Sequence, residues 1–353
     1  MKLVIDYRLA ASSTRGMARY CREITREIIK MLPTDWEVIL YIDKGVNQPI
    51  PERVEVRFLS TSDYIIGEQI YIPYYLKKDR PDVFWAPSNT FPIIKVCKVD
   101  YFVTIHDLIF FEEVEGAQSL KQKIGRLYRR FILSHFIKNL KGIITVSEFS
   151  KKAIEQRFHV KNVVVTPNCI GHFADKVQKL MSENNYSRNE TYFTVSGDAP
   201  SKNFKMLYEW FKDHPEYKLE AAGFPRHSVF KNDCPSNITI LPPNISDELL
   251  IEKYCTCKAF LFVSKQEGFG IPLLESMVCG CKIITTKHTS IPEIVGDDAL
   301  YITEDTKEAL NIAISQIEKY AADTDSVMLR LKKYTNWATP AETFLKMIQQ
   351  NNV

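Results

Sequence analysis

A glycine-containing segment between two carboxylates is the strongest candidate for chemistry in this chain. Glu267 is followed by Gly268-Phe269-Gly270, and Ile271-Pro272 then opens a predicted helix that carries Glu275. Glycines let the backbone approach a ligand closely, and proline suits the first turn of a helix. The N–H groups of that turn favour a bound phosphate, and carboxylates on either side can accept hydrogen bonds from sugar hydroxyls. The segment therefore indicates a ligand that contains both sugar and phosphate.

Two more polar residues, Lys202 and His106, stand at the ends of predicted strands. Lys202 lies in a loop after Tyr192–Val195, and His106 directly follows Tyr101–Ile105. Taken singly, each also has a structural interpretation, as a solvated loop lysine and a hydrogen-bonded histidine. The third position of a G-x-G-x-x-G pattern is Leu273 here, which argues against a nicotinamide dinucleotide cofactor.

Two series of alternating strands and helices must position these residues. Short apolar runs such as Lys2–Asp6 predict parallel strands covered on both faces. The first series covers residues 1–166 and the second covers 191–337. A polar linker is predicted at 167–190, in which Phe173–Met181 could form a short helix. Helices are predicted between many strands, among them Gly67–Lys78, Leu120–Lys138 and Ser147–Phe158. This order predicts two doubly wound, Rossmann-like α/β domains that face a cleft, with ligands beyond the carboxyl ends of the strands.

Several segments, in their order along the chain, resemble a known enzyme family. The segment 267–277, continued by Cys279-Gly-Cys281 and Ser290-Ile-Pro292, closely resembles the E-x7-E region of the retaining glycosyltransferases of family 4, which have the GT-B fold. Further segments resemble the same family: Gly16–Tyr20 (its N-terminal glycine loop), Thr104–Leu108 (the His-Asp segment of its mannosyltransferase-like branch), Thr145–Ser150 and Pro167-Asn168 (the end of the first domain), and Trp337 with the residues after it. By this resemblance, residues 338–353 would cross back to the N-terminal domain.

The resemblance implies a role for each candidate residue. Glu275 would bind the donor ribose, Glu267 would contact the transferred sugar, and the amides of Gly268, Phe269, Gly270 and Ile271 would lie near the diphosphate. Lys202 would neutralise the departing diphosphate. His106 would contact the donor sugar with its ring oriented by Asp107, and Gly16 with Arg15 would form a loop of the acceptor-binding domain.

One departure from the family pattern concerns the phosphate cations. The family pairs its lysine with an arginine, either directly before it or five residues upstream. Ser201 and Gly197 occupy those positions here, and Arg226 is a candidate substitute.

The function implied is a retaining, metal-independent transfer of a hexose from a nucleotide-diphosphate sugar to an acceptor hydroxyl, without a cofactor or a protein nucleophile. The branch suggests GDP-mannose as the donor, and a glycan or lipid-linked acceptor in polysaccharide assembly. Two alternatives stay open: a GT-B epimerase that acts on nucleotide sugars, and an inactive scaffold with the same fold.

The charge of the chain is distributed unevenly between its halves. Residues 1–165 contain 26 lysines and arginines against 19 acidic residues, although the whole chain carries only +3. Lys121–Lys138 alternates basic and apolar residues and predicts either a helix that lies on an anionic membrane surface or an ordinary helix with a solvated basic face. Aromatic and basic residues do not interleave as in RNA-binding proteins, so we expect no nucleic acid partner.

Cysteine usage and hydropathy bear on the compartment. Eight cysteines are too sparse for a disulfide scaffold, and the close pairs Cys255-Thr-Cys257 and Cys279-Gly-Cys281 lack zinc-site spacing, so no metal is expected. The first residues do not form the apolar region of a signal peptide, because Asp6 and Arg8 interrupt it. We therefore expect a cytoplasmic protein, with peripheral contact at the inner face of the membrane if residues 121–138 bind lipid.

Overall fold

The computed structural model describes residues 1–12, 16–44, 50–112 and 120–350. Contacts within the chain divide these residues into two compact units. Unit 1 contains the described residues up to Asn168 and those from Trp337 onward, and unit 2 contains Cys169–Asn336. Each unit is built around its own parallel sheet.

Unit 1 has a seven-stranded parallel sheet in the order β3-β2-β1-β4-β5-β6-β7. Leu3, Val4 and Ile5 of the central strand are fully buried, as expected for a strand with helices on both faces. Chain order reverses between β1 and β4, where Leu3 pairs with Val83. The strands are β1 (Lys2–Asp6), β2 (Glu37–Asp43), β3 (Glu55–Leu59), β4 (Val83–Ala86), β5 (Asp100–Thr104), β6 (Gly142–Thr145) and β7 (Val163–Val165).

The helices of unit 1 lie between these strands: α1 (Arg8–Ser12), α2 (Met17–Met31), α3 (Tyr64–Ile66), α4 (Ile72–Asp79), α5 (Leu120–Phe136) and α6 (Glu148–Phe158), with 3₁₀ turns at Ile109–Phe111 and Ile137–Asn139. The single helix predicted over 67–78 begins earlier and is interrupted by a π-helical turn, Gly67–Tyr71. Pro73 has no N–H for the carbonyl four residues before it, which favours such a wider turn.

Helix α2 begins at a glycine with an unusual backbone conformation. Gly16 has φ 60° and ψ −133°, and its carbonyl accepts hydrogen bonds from the N–H groups of Arg19 and Tyr20. A Cβ atom at Gly16 would meet no atom within 4 Å, so backbone conformation rather than space requires the glycine. Arg15, which was predicted beside it, lies outside the described residues.

Unit 2 has a six-stranded parallel sheet in the order β10-β9-β8-β11-β12-β13. Its strands are β8 (Thr191–Val195), β9 (Lys218–Ala222), β10 (Ile238–Ile240), β11 (Phe260–Phe262), β12 (Ile283–Thr285) and β13 (Leu300–Tyr301). Its helices are α7 (Gly171–Glu183), α8 (Phe204–Asp213), α9 (Asp247–Thr256), α10 (Ile271–Val278), α11 (Ile291–Val295), α12 (Lys307–Gln316) and α13 (Thr324–Lys332), with 3₁₀ turns at Pro200–Lys202 and Val229–Lys231. Chain order reverses between β8 and β11, the position where ligands bind in such sheets.

The segment predicted as a linker, 167–190, contains a helix, α7, which packs as part of unit 2 rather than as a connection between units. Phe173 and Val177 are buried one helical turn apart, and α7 contacts α9 and α10. Burial of these two side chains makes the segment part of the core of unit 2, although its Gly, Asn and Ser content is typical of a loop between domains.

The last helix, α14 (Ala338–Gln350), packs on unit 1, where it contacts α2, β6 and β7. Phe344 is fully buried and its ring lies 4.6 Å from that of Trp85. Gly142 in β6 leaves room for this helix, because a Cβ atom there would collide with the Met347 side chain. Unit 1 is therefore formed by two separate stretches of the chain.

Candidate functional site

Two loops meet at the point of unit 2 where the strand order reverses. One loop follows β8 and leads into the 3₁₀ turn Pro200–Lys202, and the other follows β11 and contains Glu267. The backbone N–H of Lys265 donates to the carbonyl of Ser201 at 2.8 Å. The sheet topology and this hydrogen bond bring Lys202 close to Glu267, which is 65 positions further along the chain.

Lys202 and Glu267 form an ion pair between these loops. Nζ of Lys202 lies 2.6 Å from Oε1 of Glu267, with the lysine side chain 30% exposed and the glutamate side chain 10% exposed. An anionic ligand can reach the lysine, because its ammonium is partly open to solvent. Such a ligand must compete with the Glu267 carboxylate for Lys202.

The Glu267 loop is held by two residues of the next loop along the sheet. Thr289 Oγ1 accepts a hydrogen bond from the Glu267 N–H at 3.0 Å, and the Ser290 hydroxyl lies 3.1 and 3.0 Å from the carbonyl oxygens of Glu267 and Phe269. Neither residue was a candidate site residue from the sequence, since a serine before Ile-Pro is typical of a helix start. These hydrogen bonds hold the backbone at Glu267 and Phe269 against the neighbouring loop.

Helix α10 begins as the glycine and proline pattern predicts. Gly270 is its N-cap with φ 105°, and a Cβ atom there would lie 3.1 Å from the Leu273 side chain. The Phe269 ring is buried against Tyr334, at 5.6 Å between centroids, so this residue can offer a ligand only its backbone. The N–H groups of 268–271 stay predicted phosphate donors.

Glu275 lies one turn inside α10 and is only 6% exposed. Its Oε2 accepts a hydrogen bond from the Tyr254 hydroxyl at 3.3 Å. Burial and the adjacent Glu275 carboxylate raise the pKa of Tyr254 well above its usual value, so the phenol keeps its proton and remains a donor. The tyrosine thereby fixes the orientation of the carboxylate that was predicted to bind ribose.

The structure explains why no arginine stands five residues before Lys202. Gly197 has φ 129°, and a Cβ atom there would lie 3.2 Å from the carbonyl oxygen of Gly223, which also has positive φ. The two glycines allow the loops after β8 and β9 to touch, and a side chain at 197 would be strained there, because φ is positive and its Cβ atom would press on that carbonyl. Arg226, the predicted substitute, is exposed in the loop after β9.

His106 lies in unit 1 after β5 and is 5% exposed. Its Nε2 is 2.8 Å from the carbonyl oxygen of Pro87, and its backbone N–H donates to Asn89 Oδ1 at 2.7 Å. The ring packs edge-on against Tyr20 of α2, at 5.0 Å. A carbonyl oxygen only accepts, so Nε2 carries the proton and Nδ1 presents a lone pair to a donor such as a sugar hydroxyl.

The predicted role of Asp107 in orienting this ring is not what the structure shows. Asp107 Oδ1 accepts a hydrogen bond from the backbone N–H of Ile109 at 3.1 Å and so shapes the turn after β5. The Pro87 carbonyl orients the ring instead. A backbone acceptor leaves no trace in side-chain identity, so the sequence could not reveal it.

Burial lowers the pKa of His106 from its usual 6.5 to about 4, although the Pro87 hydrogen bond opposes the shift. Between these pH values the unfolded chain takes up a proton that the folded protein excludes, so stability is lost as pH falls through this range. In this pH range His106 makes the free energy of unfolding fall by up to about 1.4 kcal/mol per pH unit of acidification, and we expect the His106→Gln variant to lack this pH dependence. Urea unfolding between pH 4 and pH 7 measures it. The same change at the exposed His227 is the control, and equal slopes in wild type and H106Q would contradict the assignment.

Two family models match the chain. Residues 14–172 match "Glycosyltransferase Family 4", and residues 178–335 match "Glycosyl transferases group 1". Among curated proteins, the chain is similar to the O-antigen chain mannosyltransferase RfbU of Salmonella typhimurium, with 26% identity over 267 residues that cover 72% of this chain and 70% of the relative.

Solved structures show the same architecture. The sucrose-phosphate synthase of Thermosynechococcus elongatus has a TM-score of 0.73 at 15% identity and covers 99% of this chain and 98% of its own. Anabaena HepE, solved in complex with UDP and glucose, has a TM-score of 0.66 at 16% identity and covers 99% of each chain. At these identities the likeness shows the fold alone.

Proposed function

Because this chain belongs to the family 4 glycosyltransferases and has their two-domain GT-B fold, we propose that it transfers mannose, with retention of configuration, from a nucleotide-diphosphate sugar to a hydroxyl of a glycan acceptor. The Salmonella relative is a mannosyltransferase of an O-antigen chain, which favours GDP-mannose as the donor and a polysaccharide or lipid-linked acceptor. The observation that carries the proposal is the meeting of Lys202, Glu267 and the start of α10 at the reversal point of the unit 2 sheet.

The proposed reaction needs no protein nucleophile. The acceptor oxygen attacks the anomeric carbon on the face that the diphosphate leaves, and a diphosphate oxygen takes the acceptor proton. Lys202 and the first-turn amides of α10 stabilise the negative charge that develops on the diphosphate. Glu275 holds the ribose, Glu267 contacts the transferred sugar once Lys202 engages the phosphate, and Nδ1 of His106 accepts a hydrogen bond from a sugar hydroxyl.

We propose that this stabilisation operates without a metal ion. The sequence contains one D-x-D triplet, Asp323-Thr324-Asp325, which has the spacing of a metal-binding motif. Asp323 caps α13, because its Oδ1 accepts from the N–H groups of Asp325 and Ser326 at 3.0 and 3.5 Å. The triplet therefore serves the helix start, and Lys202 supplies the cationic charge at the diphosphate.

A panel of nucleotide sugars tests the reaction. We expect GDP-mannose to release GDP faster than UDP- or ADP-sugars do, at the same rate in EDTA and in Mn²⁺ or Mg²⁺. Loss of release in EDTA with recovery on adding metal would contradict the proposed phosphate site. A free, altered sugar as the product would indicate the epimerase alternative, and no release with any donor would indicate a binding scaffold.

We propose further that unit 1 contacts an anionic membrane through an apolar face. Along α5, Leu120, Ile124, Leu127 and Phe131 are 74%, 48%, 64% and 51% exposed and recur at helical spacing. The solvent-facing stripe is thus apolar, whereas Arg126 and Arg130 turn aside and donate to the backbone carbonyls of residues 110–112. These exposed apolar side chains support the membrane alternative over a solvated basic face.

A segment in contact with α5 carries a second row of exposed apolar side chains. Ile66, Ile70 and Tyr74 are also exposed at helical spacing, and Tyr128 of α5 contacts Glu68 and Gln69 of the same segment. Two lysines, Lys123 in α5 and Lys138 in the 3₁₀ turn that follows it, are exposed. Apolar residues with lysines at their margin suit the boundary between acyl chains and anionic head groups. Among the described residues no helix has the length and hydropathy to span a bilayer.

Vesicle sedimentation tests this surface. We expect binding to anionic vesicles that weakens as salt rises, because each lysine near the surface contributes about 1 kcal/mol. Leu127→Asp should weaken binding at least tenfold, since burying a leucine side chain contributes about 1.5–3 kcal/mol. Leu329→Asp, at an equally exposed leucine of unit 2, is the control. Equal binding of both variants, or none of the wild type, would contradict the proposal.

A further inference from the structure

Two Cys-x-Cys segments that are remote in sequence meet in unit 2. Cys255 and Cys257 stand at the end of α9, and Cys279 and Cys281 stand at the end of α10. All four side chains are buried and all four thiols are free. The proposed transfer reaction uses none of them.

Cys257 and Cys281 form one pair of neighbouring thiols across the two segments. Their Sγ atoms lie 4.0 Å apart, and both thiols donate to the same oxygen, the carbonyl of Tyr254, at 3.5 and 2.8 Å. One acceptor thus holds two thiols side by side. A disulfide requires the sulfur atoms to approach to about 2 Å, a further movement of about 2 Å.

Arg188 holds the two segments together from the outside. Its guanidinium donates to the carbonyls of Tyr254 and Cys257 on one segment and to those of Cys279 and Gly280 on the other, at 2.5–3.2 Å. The same group lies 3.8 Å from the sulfur of Cys281. If the thiols lost their protons, the Tyr254 carbonyl would keep Arg188 as a donor and would not be left unsatisfied.

The thiols also lie next to Tyr254, the residue that holds the Glu275 carboxylate. Tyr254, whose carbonyl accepts from both thiols, donates its hydroxyl to Glu275, and the N–H of Cys279 donates to the Glu275 carbonyl at 3.3 Å. A movement at the ends of α9 and α10 would therefore shift Tyr254 and with it the hydrogen bond to the Glu275 carboxylate.

We propose that Cys257 and Cys281 are a thiol-modification site that forms a reversible intramolecular disulfide with small-molecule disulfides as the oxidant, and that this bond weakens nucleotide binding through Tyr254 and Glu275. The second part rests on the proposed function.

The exchange proceeds in two steps. The Cys257 thiolate attacks one sulfur of the small disulfide, forms a mixed disulfide and releases one small thiolate. Cys281 then loses its proton and attacks the Cys257 sulfur, which forms the protein disulfide and releases the second small thiolate. Two protein thiols are oxidised by two electrons and one small disulfide is reduced to two thiols. Burial and the hydrogen bond to Cys257 raise the pKa of Cys281, so we expect the second step to be slow.

The test begins with fully reduced protein, incubated with 2-hydroxyethyl disulfide, quenched in acid, alkylated and digested for mass spectrometry. We expect a cross-linked peptide pair that joins Cys257 to Cys281 and disappears on reduction. It should be absent from the Cys257→Ser and Cys281→Ser variants and present in Cys234→Ser, at a half-buried thiol elsewhere in unit 2. A Cys255–Cys279 cross-link alone, or full alkylation of Cys257 and Cys281 after long incubation, would overturn the assignment.

Calorimetry with GDP tests the coupling to the donor site. We expect oxidised wild type to bind GDP about tenfold more weakly than reduced wild type, as for a lost buried hydrogen bond, with the Cys281→Ser variant unaffected by the oxidant. Equal affinity in both redox states would overturn the coupling. Reduced protein that binds no nucleoside diphosphate would contradict the proposed function and the coupling, while the cross-link would still stand on its mass.

Discussion

Replacing Lys202 with methionine is expected to lower kcat by about 10²- to 10³-fold, the cost of removing one donor from a developing negative charge. Methionine keeps most of the length of the side chain and removes the ammonium that lies 2.6 Å from Glu267. Steady-state GDP release from GDP-mannose measures the effect. The melting temperature should change little, because the pair is partly exposed.

Lys205→Met is the matched control for this experiment. Lys205 lies three residues away on α8, is 77% exposed and pairs only loosely with Glu209. We expect this variant to keep nearly full activity. An equal loss in both variants would point to a general effect of surface charge, and full activity in Lys202→Met would remove the lysine from the mechanism.

The Glu275→Gln variant is expected to bind both donor and free GDP about 10- to 150-fold more weakly. A hydrogen bond to a charged group contributes about 1.5–3 kcal/mol, and ribose is common to both ligands. Glutamine retains the shape of the side chain and an oxygen for the Tyr254 hydroxyl, so the buried position stays filled. Calorimetry with GDP gives the affinity directly.

Glu267→Gln provides the contrast. Loss of the Glu267 charge releases Lys202 from the ion pair, so affinity for GDP should not fall. Transfer should slow, because the contact of residue 267 with the sugar is altered. A variant pair with the reverse pattern, weak GDP binding in Glu267→Gln and normal binding in Glu275→Gln, would mean that the two carboxylates have exchanged roles.

Local pattern accounts for the elements but not for how they meet. Strand β1 covers Lys2–Asp6 as predicted, because a short run of buried apolar residues leaves little choice of structure. The π-helical turn at 67–71 was missed, and the short helix considered over Phe173–Met181 was assigned to a linker rather than to unit 2, since both features depend on packing partners. Phe173 and Val177 make α7 a part of unit 2 only when α9 and α10 are in place.

The same limit applies to the candidate site. Gly270 and Pro272 mark the start of α10 from sequence alone, because backbone conformation demands them. The Lys202–Glu267 pair, the hydrogen bonds of Thr289 and Ser290, and the Pro87 carbonyl at His106 come from loops on neighbouring strands. Helix α5 shows the limit most clearly. Its basic and apolar residues were identified from the sequence, but not which of them face solvent and which face the protein.

The placement of α14 on unit 1 makes unit 2 an insertion, and this has a consequence for synthesis on the ribosome. Between the last residue of β7 and the first of α14, the ribosome must add the whole of unit 2, roughly 10–30 s at about 5–20 residues per second. During that interval Trp85 and the β6 surface around Gly142 lack the Phe344 and Met347 side chains that cover them in the finished protein. The N-terminal sheet of the nascent chain therefore keeps this apolar surface exposed until α14 has been synthesised, and unit 2 can fold before unit 1 is complete.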